Sequence, residues 1–354
     1  MKKIAVLPGD GIGPEVIDQA LKVLEVVNQR LACGFEYKRA LVGAAAIDAV
    51  GNPYPEETHQ ICVESDAILF GAIGDPKYDN NPKATIRPEQ GLLAMRSALG
   101  LYANIRPVKS YDALLESSPL KNHIVKDVDF VVVRELIGGI YFGKPRGRAE
   151  DGKAAFDTCT YSYDEILRVT KKAFELAKMR RKKVTLLDKA NVLATSRLWR
   201  QVVTEYAGMH PEIEVDYQFI DSGAMHVIQK PRTFDVILTE NLFGDIISDE
   251  ASVIAGSLGI LPSASIGDTA ALYEPIHGSY PQAAGQNRAN PLATILSAAM
   301  MLDYSFKMPD AAKAIEKAVD KAINEGFVTE DINNGKYGTK EVGDKVAEFT
   351  GLYL

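Results

Sequence analysis

Short apolar runs alternate along the chain with longer segments whose apolar residues recur every three or four positions. The runs at 3–7, 67–70, 130–135, 183–191, 215–220 and 234–239 are rich in Val, Ile and Leu and end in polar or charged residues, which predicts buried strands. Residues 102–107 read as extended, and 156–162 as a strand that projects as a hairpin. Helical spacing marks 16–31, 163–181, 196–208 and 222–229, a segment opening at Glu89, an Ala-rich helix after Pro291, and most of the tail from residue 311. Strand and helix alternate without an internal repeat or a low-complexity linker. The pattern predicts an α/β protein of about two domains interleaved in sequence.

The chain's most informative stretch follows the strand at 234–239. Asn241 and Gly244 suit a turn into a helix that starts near Gly244, which sets Asp245 and Asp249 four residues apart on one face. Two adjacent carboxylates repel, and a cation between them removes the repulsion. Oxygen-only ligands on a short element suit Mg²⁺ or Mn²⁺ better than zinc. The apolar neighbours Phe243, Ile246 and Ile247 argue against a freely hydrated acidic face.

Composition narrows the class. The 354 residues are 46% hydrophobic and 25% charged, with a net charge of −7. That balance fits a globular protein and disfavours a nucleic-acid surface. The N-terminal apolar run is too short for a signal peptide and no later run would cross a membrane, so the expectation is cytoplasmic. Three widely spaced cysteines, Cys33, Cys62 and Cys159, suit a reducing compartment and make neither a disulfide framework nor a zinc site. The turn Gly9-Asp10-Gly11-Ile12-Gly13-Pro14 invites a dinucleotide-binding reading, but it lacks the third glycine in register, and no Gly-Lys-Ser/Thr phosphate loop occurs. An ordinary Rossmann fold is therefore not expected.

Seven ordered motifs carry a resemblance over almost the whole length. They are Gly9-Asp10-Gly11-Ile12-Gly13-Pro14-Glu15, Ala103-Asn104-Ile105-Arg106-Pro107, Val133-Arg134-Glu135, Gly138-Gly139-Ile140-Tyr141-Phe142-Gly143, Asp188-Lys189-Ala190-Asn191-Val192-Leu193, the 241–259 stretch, and Glu274-Pro275-Ile276-His277-Gly278-Ser279. With them the chain resembles the isocitrate/isopropylmalate dehydrogenase family of β-decarboxylating dehydrogenases. The resemblance implies a two-domain fold of that type. One domain is formed by 1–103 with 256–354 on the cofactor side; the other, 104–255, carries the dimer interface, the metal aspartates and an arm at 144–162. It further implies a homodimer whose active sites lie in the cleft between domains and are shared between subunits.

The resemblance also assigns roles. Asp221, Asp245 and Asp249 match the family's metal ligands, Asp221 arriving from the partner. Arg96, Arg106 and Arg134 match the substrate arginines, whose planar guanidiniums suit carboxylates. Lys189, also from the partner, matches the base and Tyr141 the acid that protonates the enol carbon. Glu89, Glu274, His277, Gly278, Ser279, Gln282 and Asn290 fall on the cofactor side. The implied reaction is NAD-dependent oxidative decarboxylation of a substituted malate chelated to Mg²⁺ or Mn²⁺. Leu92 and Leu93 form an apolar pair suited to a branched alkyl group, which favours 3-isopropylmalate and the leucine pathway over isocitrate; tartrate and D-malate are the rivals within the family. Gln282 departs from the aspartate usual in NAD-dependent relatives, with Arg288 nearby. The lysine and tyrosine of NADP-dependent isocitrate enzymes are absent at Gln282 and Ala283, so NAD remains favoured. From other classes, a phosphoryl-transfer enzyme lacks its phosphate loop here, and a silent regulatory subunit would have lost Tyr141, Lys189 or an aspartate.

Overall fold

The computed structural model describes residues 1–81 and 84–354. Among them, twelve strands run in chain order: β1 Lys2–Gly9, β2 Phe35–Arg39, β3 Ala67–Ala72, β4 Ala103–Lys109, β5 Asp129–Glu135, β6 Gly147–Arg148, β7 Ala155–Phe156, β8 Lys183–Asp188, β9 Glu214–Phe219, β10 Val236–Thr239, β11 Pro262–Ile266 and β12 Ala271–Pro275. The chain divides into two compact units, one of residues 1–100, 111–117 and 255–354, the other of 101–110 and 118–254. Residues 111–117, which the sequence grouped with the middle of the chain, belong to the unit of the two chain ends.

In the first unit, β1 pairs in parallel with β2 and β3, β12 in parallel with β3, and β11 antiparallel to β12. Every residue of β3 is buried, as expected of a strand covered on both faces. One cover is the helix Gly13–Leu31, whose apolar stripe Val16, Ile17, Ala20, Val23, Leu24 and Val27 is buried. Another is Leu292–Tyr304, buried on all sides from Leu292 to Leu302. In the second unit, β5, β10, β8 and β9 are parallel and β4 runs antiparallel to β5. Its core gathers Trp199, Phe130, Phe174 and Phe234. No helix among the described residues is long and apolar enough to cross a membrane.

Three expectations shift. The hairpin is smaller than the sequence suggested, since only Gly147–Arg148 and Ala155–Phe156 pair. Beyond it, Ser162 starts the next helix, accepting from the Glu165 amide while Glu165 accepts from the Ser162 amide at 2.7 Å, and this capping box stops the strand. Asp221 lies in the first turn of the helix Ile220–Gln229 rather than at a strand end, where its charge matches the helix dipole. The acidic helix begins at Asn241, not Gly244: the Gly244 amide already bonds to the Glu240 carbonyl at 2.9 Å. Gly244 serves closeness instead, because a Cβ there would lie 2.6 Å from Arg134 Cγ.

Candidate active site

In the second unit, strand ends and the helix Asn241–Ala255 bring charged groups together. Arg134, 2% exposed at the end of β5, donates through Nε to the Asn241 carbonyl at 2.9 Å and through Nη2 to Asn241 Oδ1 at 2.8 Å. Asn241 is itself fixed, its amide donating to Tyr161 Oη and its Nδ2 to the Gly138 carbonyl. So held, Arg134 Nη1 meets Asp245 Oδ1 at 2.5 Å. Tyr141 Oη donates to the other oxygen, Oδ2, at 2.8 Å. Arg106, on β4, donates to Asn104 Oδ1 and Ser248 Oγ, each at 2.6 Å, and reaches Asp249 Oδ1 at 3.4 Å and Asp245 Oδ1 at 3.8 Å.

The electrostatics follow from burial. Desolvation raises the Asp249 pKa; Arg106 opposes the shift and Asp245 adds to it. Burial and the hydrogen bond to Asp245 raise the Tyr141 phenol, which keeps its proton. Two half-buried carboxylates one helical turn apart, faced by two buried guanidiniums, can hold a hard cation together with an anionic ligand. Behind them, Glu135 and Glu240 are buried near each other, and desolvation pushes each carboxyl up to about 7.

Lys189 and Asp221 form a separate pair in this unit. Lys189 Nζ donates to Asp221 Oδ1 at 2.6 Å, and that bond lowers the Asp221 pKa. The Asp221 side chain is 65% exposed. Among the described residues no three His, Cys, Asp or Glu side chains are gathered as a metal-holding set.

The first unit carries the other expected residues. Leu92 and Leu93 are half-buried on the helix Pro88–Ala98, one turn before Arg96. Arg96, buried, donates through Nη2 to the buried Glu274 at 2.8 Å, while its Nε has no hydrogen-bond partner. Asp10 organises the glycine turn by accepting from the amides of Ala44, Ala45 and Gly74 at 2.9–3.0 Å. Gly11 lets the turn lie against Ser279, whose carbonyl accepts from Ile12 at 2.8 Å; a Cβ on Gly11 would lie 2.0 Å from that oxygen. Gly74 in turn leaves room for Glu89 and Ser279, which lie 3.0 and 3.4 Å from where its Cβ would be.

A pocket of about 720 Å³ opens in this unit. Ile12, Leu258 and Ala289 supply apolar walls, and His277, Asn290 and Asp331 supply polar edges. Burial lowers the His277 pKa, leaving a neutral ring whose Nε2 has no partner. Asn290 is fixed by Asp331, which accepts from its Nδ2 at 3.0 Å. Flat apolar walls with a few polar edge groups suit a purine ring.

A family profile described as isocitrate/isopropylmalate dehydrogenase matches residues 3–346. The chain belongs to the isocitrate/isopropylmalate dehydrogenase family. It is 55% identical over 351 residues to a 3-isopropylmalate dehydrogenase of Aquifex aeolicus, covering 98% of this chain and 96% of that protein. A 3-isopropylmalate dehydrogenase of Moorella thermoacetica is 54% identical, with 98% of each chain covered. Among solved structures, an isocitrate dehydrogenase from Methylococcus capsulatus aligns with a TM-score of 0.89 at 35% identity over 99% of both chains. A β-decarboxylating dehydrogenase from Thermococcus kodakarensis aligns at 0.82 and 36% identity, covering 99% of this chain and 96% of that one. The fold is thus that of this dehydrogenase family, as the motifs implied.

Within the family frame, the structure brings Arg106, Arg134, Tyr141, Asp245 and Asp249 into one array, Lys189 and Asp221 into one pair, and Arg96 and Glu274 into another. His277, Gly278 and Asn290 line the pocket, whereas Gln282 is exposed and absent from its lining. Sequence reasoning missed Ile12, Glu330 and Asp331 as pocket residues. Glu330 and Asp331 stand in no apolar run or glycine turn that would have marked them.

Proposed function

We propose that the protein is a 3-isopropylmalate dehydrogenase of leucine biosynthesis, oxidising (2R,3S)-3-isopropylmalate with NAD to 4-methyl-2-oxopentanoate and CO2. The observation that carries the reading is the pairing of a half-buried Leu92-Leu93 with the buried Arg96 on one helix face, in a chain about 55% identical to enzymes of that name. A guanidinium beside an apolar pair suits an alkyl-substituted acid, whereas a third carboxylate would need a polar partner there.

Asp245 and Asp249 would hold Mg²⁺ or Mn²⁺ together with the partner subunit's Asp221. The fit rests on the donors: hard carboxylate oxygens, four residues apart, each raising the other's cost of ionisation. The orphaned His277 Nε2 and the pocket walls fit the adenine end of NAD. When bound, the nicotinamide accepts the hydride and the divalent ion polarises the oxygen that becomes the carbonyl. Arg96, Arg106 and Arg134 orient the substrate's carboxylates. The partner subunit's Lys189 takes the hydroxyl proton; engagement of the neighbouring aspartate by a cation favours the neutral amine that this step needs. After CO2 leaves, Tyr141 returns a proton to the enol carbon, a role its raised pKa suits.

The working assembly is a homodimer with shared sites, active in the cytoplasm, its domains following 1–103 with 256–354 and 104–255, and the 144–162 arm contributing to the interface. Met225, 47% exposed on the helix Ile220–Gln229, and Ile246, 57% exposed on the helix Asn241–Ala255, support an apolar partner surface. Sedimentation tests this: a monomer at micromolar concentration would contradict it. Turnover of 3-isopropylmalate against D-malate and tartrate tests the substrate, and preference for either of the latter would favour the alternative assignment.

A further inference from the structure

The rim of the purine-shaped pocket holds an ion pair that the reaction itself does not require. NAD and NADP differ by one 2′-phosphate, and the residue expected to sense it, Gln282, is uncharged. Its carbonyl accepts from Gln286 Nε2 at 2.6 Å and its side chain lies outside the pocket lining. Choice between the two dinucleotides must come from other groups. Arg288 lines the pocket, is exposed, and alone would be an apt receptor for a phosphate dianion.

Arg288 is not alone. Its Nε donates to Glu330 Oε1 at 2.9 Å, its Nη2 reaches the same oxygen, and its Nη1 donates to Gln286 Oε1 at 3.2 Å. Glu330 and its neighbour Asp331 line the same pocket. The charges facing the pocket are therefore one guanidinium against two carboxylates, with His277 neutral. A 2′-phosphate arriving there would displace Glu330 from Arg288 and meet two like charges, whereas a ribose hydroxyl meets two acceptors.

Resting on the NAD-dependent reading above, we propose that Glu330 determines cofactor choice in this chain: by occupying Arg288 and adding negative charge at the rim, it excludes the 2′-phosphate in place of the aspartate missing at Gln282. Specificity then comes from repulsion of the wrong cofactor as much as from contacts with the right one.

Calorimetric titration of the whole protein with adenosine 5′-monophosphate and adenosine 2′,5′-bisphosphate reads this without turnover. The wild type is expected to favour the monophosphate. Glu330→Gln should shift the ratio of dissociation constants toward the bisphosphate by about tenfold, more at low salt than at high. Adding Arg288→Gln should abolish the gain, since the freed guanidinium is its source. An exposed ion pair contributes little to stability, so both variants should fold, which circular dichroism checks. An unchanged ratio in Glu330→Gln, or a gain that survives Arg288→Gln, overturns the proposal. If neither nucleotide binds the wild type, the pocket assignment falls with it. If the ratios shift as expected but 3-isopropylmalate is not oxidised, the role of Glu330 stands and only the substrate reading fails.

Discussion

Two regions of the chain handle charge in opposite ways. Around the helix Asn241–Ala255, Arg134 is locked by both Asn241 oxygens before it meets Asp245, and Arg106 by Asn104 and Ser248 before it reaches Asp249. Around the pocket of the first unit, His277 Nε2 lacks a partner and Arg288 and Glu330 lie half in solvent. The first region is pre-oriented and the second is left open. Groups that must stabilise developing charge gain from being fixed before reaction. Groups that must admit and discriminate a ligand gain from polar atoms not yet committed.

The contrast can be broken by removing the fixed groups. Asp245→Asn removes a proposed metal ligand together with the acceptor of Arg134 and Tyr141. Its kcat/KM should fall by about a thousandfold or more, roughly 4 kcal/mol of transition-state stabilisation. Metal titration would show weakened Mn²⁺ binding, and near wild-type activity would contradict the account. Tyr141→Phe keeps the ring but loses the proton donor; kcat should fall about a hundredfold with KM little changed. A change confined to KM would remove Tyr141 from the chemistry.

Smaller effects sharpen the comparison. Leu92→Ala with Leu93→Ala should lower kcat/KM for 3-isopropylmalate about ten- to a hundredfold while sparing D-malate, because each lost alkyl contact is worth about 1–3 kcal/mol. Equal losses on both substrates would mean that the pair does not read the alkyl group. Gly244→Ala sets a methyl 2.6 Å from Arg134 Cγ and should cost about 1–3 kcal/mol in chemical denaturation. The buried Glu240 supplies a pH test. Its folded pKa is about 7 against an ordinary 4.5, so the native state binds the proton more tightly than the unfolded chain. Its contribution is fully present below pH 4.5 and declines as pH rises through 7. Glu240→Gln should flatten the fall in melting temperature across that interval, and an unaltered profile would shift the dependence to Glu135.

The same contrast explains what could be read from the sequence. Arg106, Arg134, Tyr141, Asp245 and Asp249 were legible because each follows or belongs to an element with a strong apolar pattern, and fixed geometry leaves contiguous motifs. Asp10 was visible as part of a turn, but its work on Ala44, Ala45 and Gly74 spans up to 64 positions and has no local signature. Glu330 was illegible for the same reason, since its meaning depends on Arg288, 42 residues away. Among the elements, β2 escaped notice because Phe-Glu-Tyr-Lys-Arg is too polar to read as a strand. β11 and β12 escaped because Ser263, Ser265 and Glu274 interrupt their apolar residues, although pairing buries all three.

The central claim is tested most directly by following reduced-nicotinamide absorbance with purified protein, Mg²⁺ and 3-isopropylmalate, beside isocitrate, tartrate and D-malate, each with NAD and with NADP. The account predicts fast reduction of NAD with 3-isopropylmalate that stops when a chelator removes the metal and is weak with NADP. Faster turnover of another acid, or reduction that continues without metal, would contradict it.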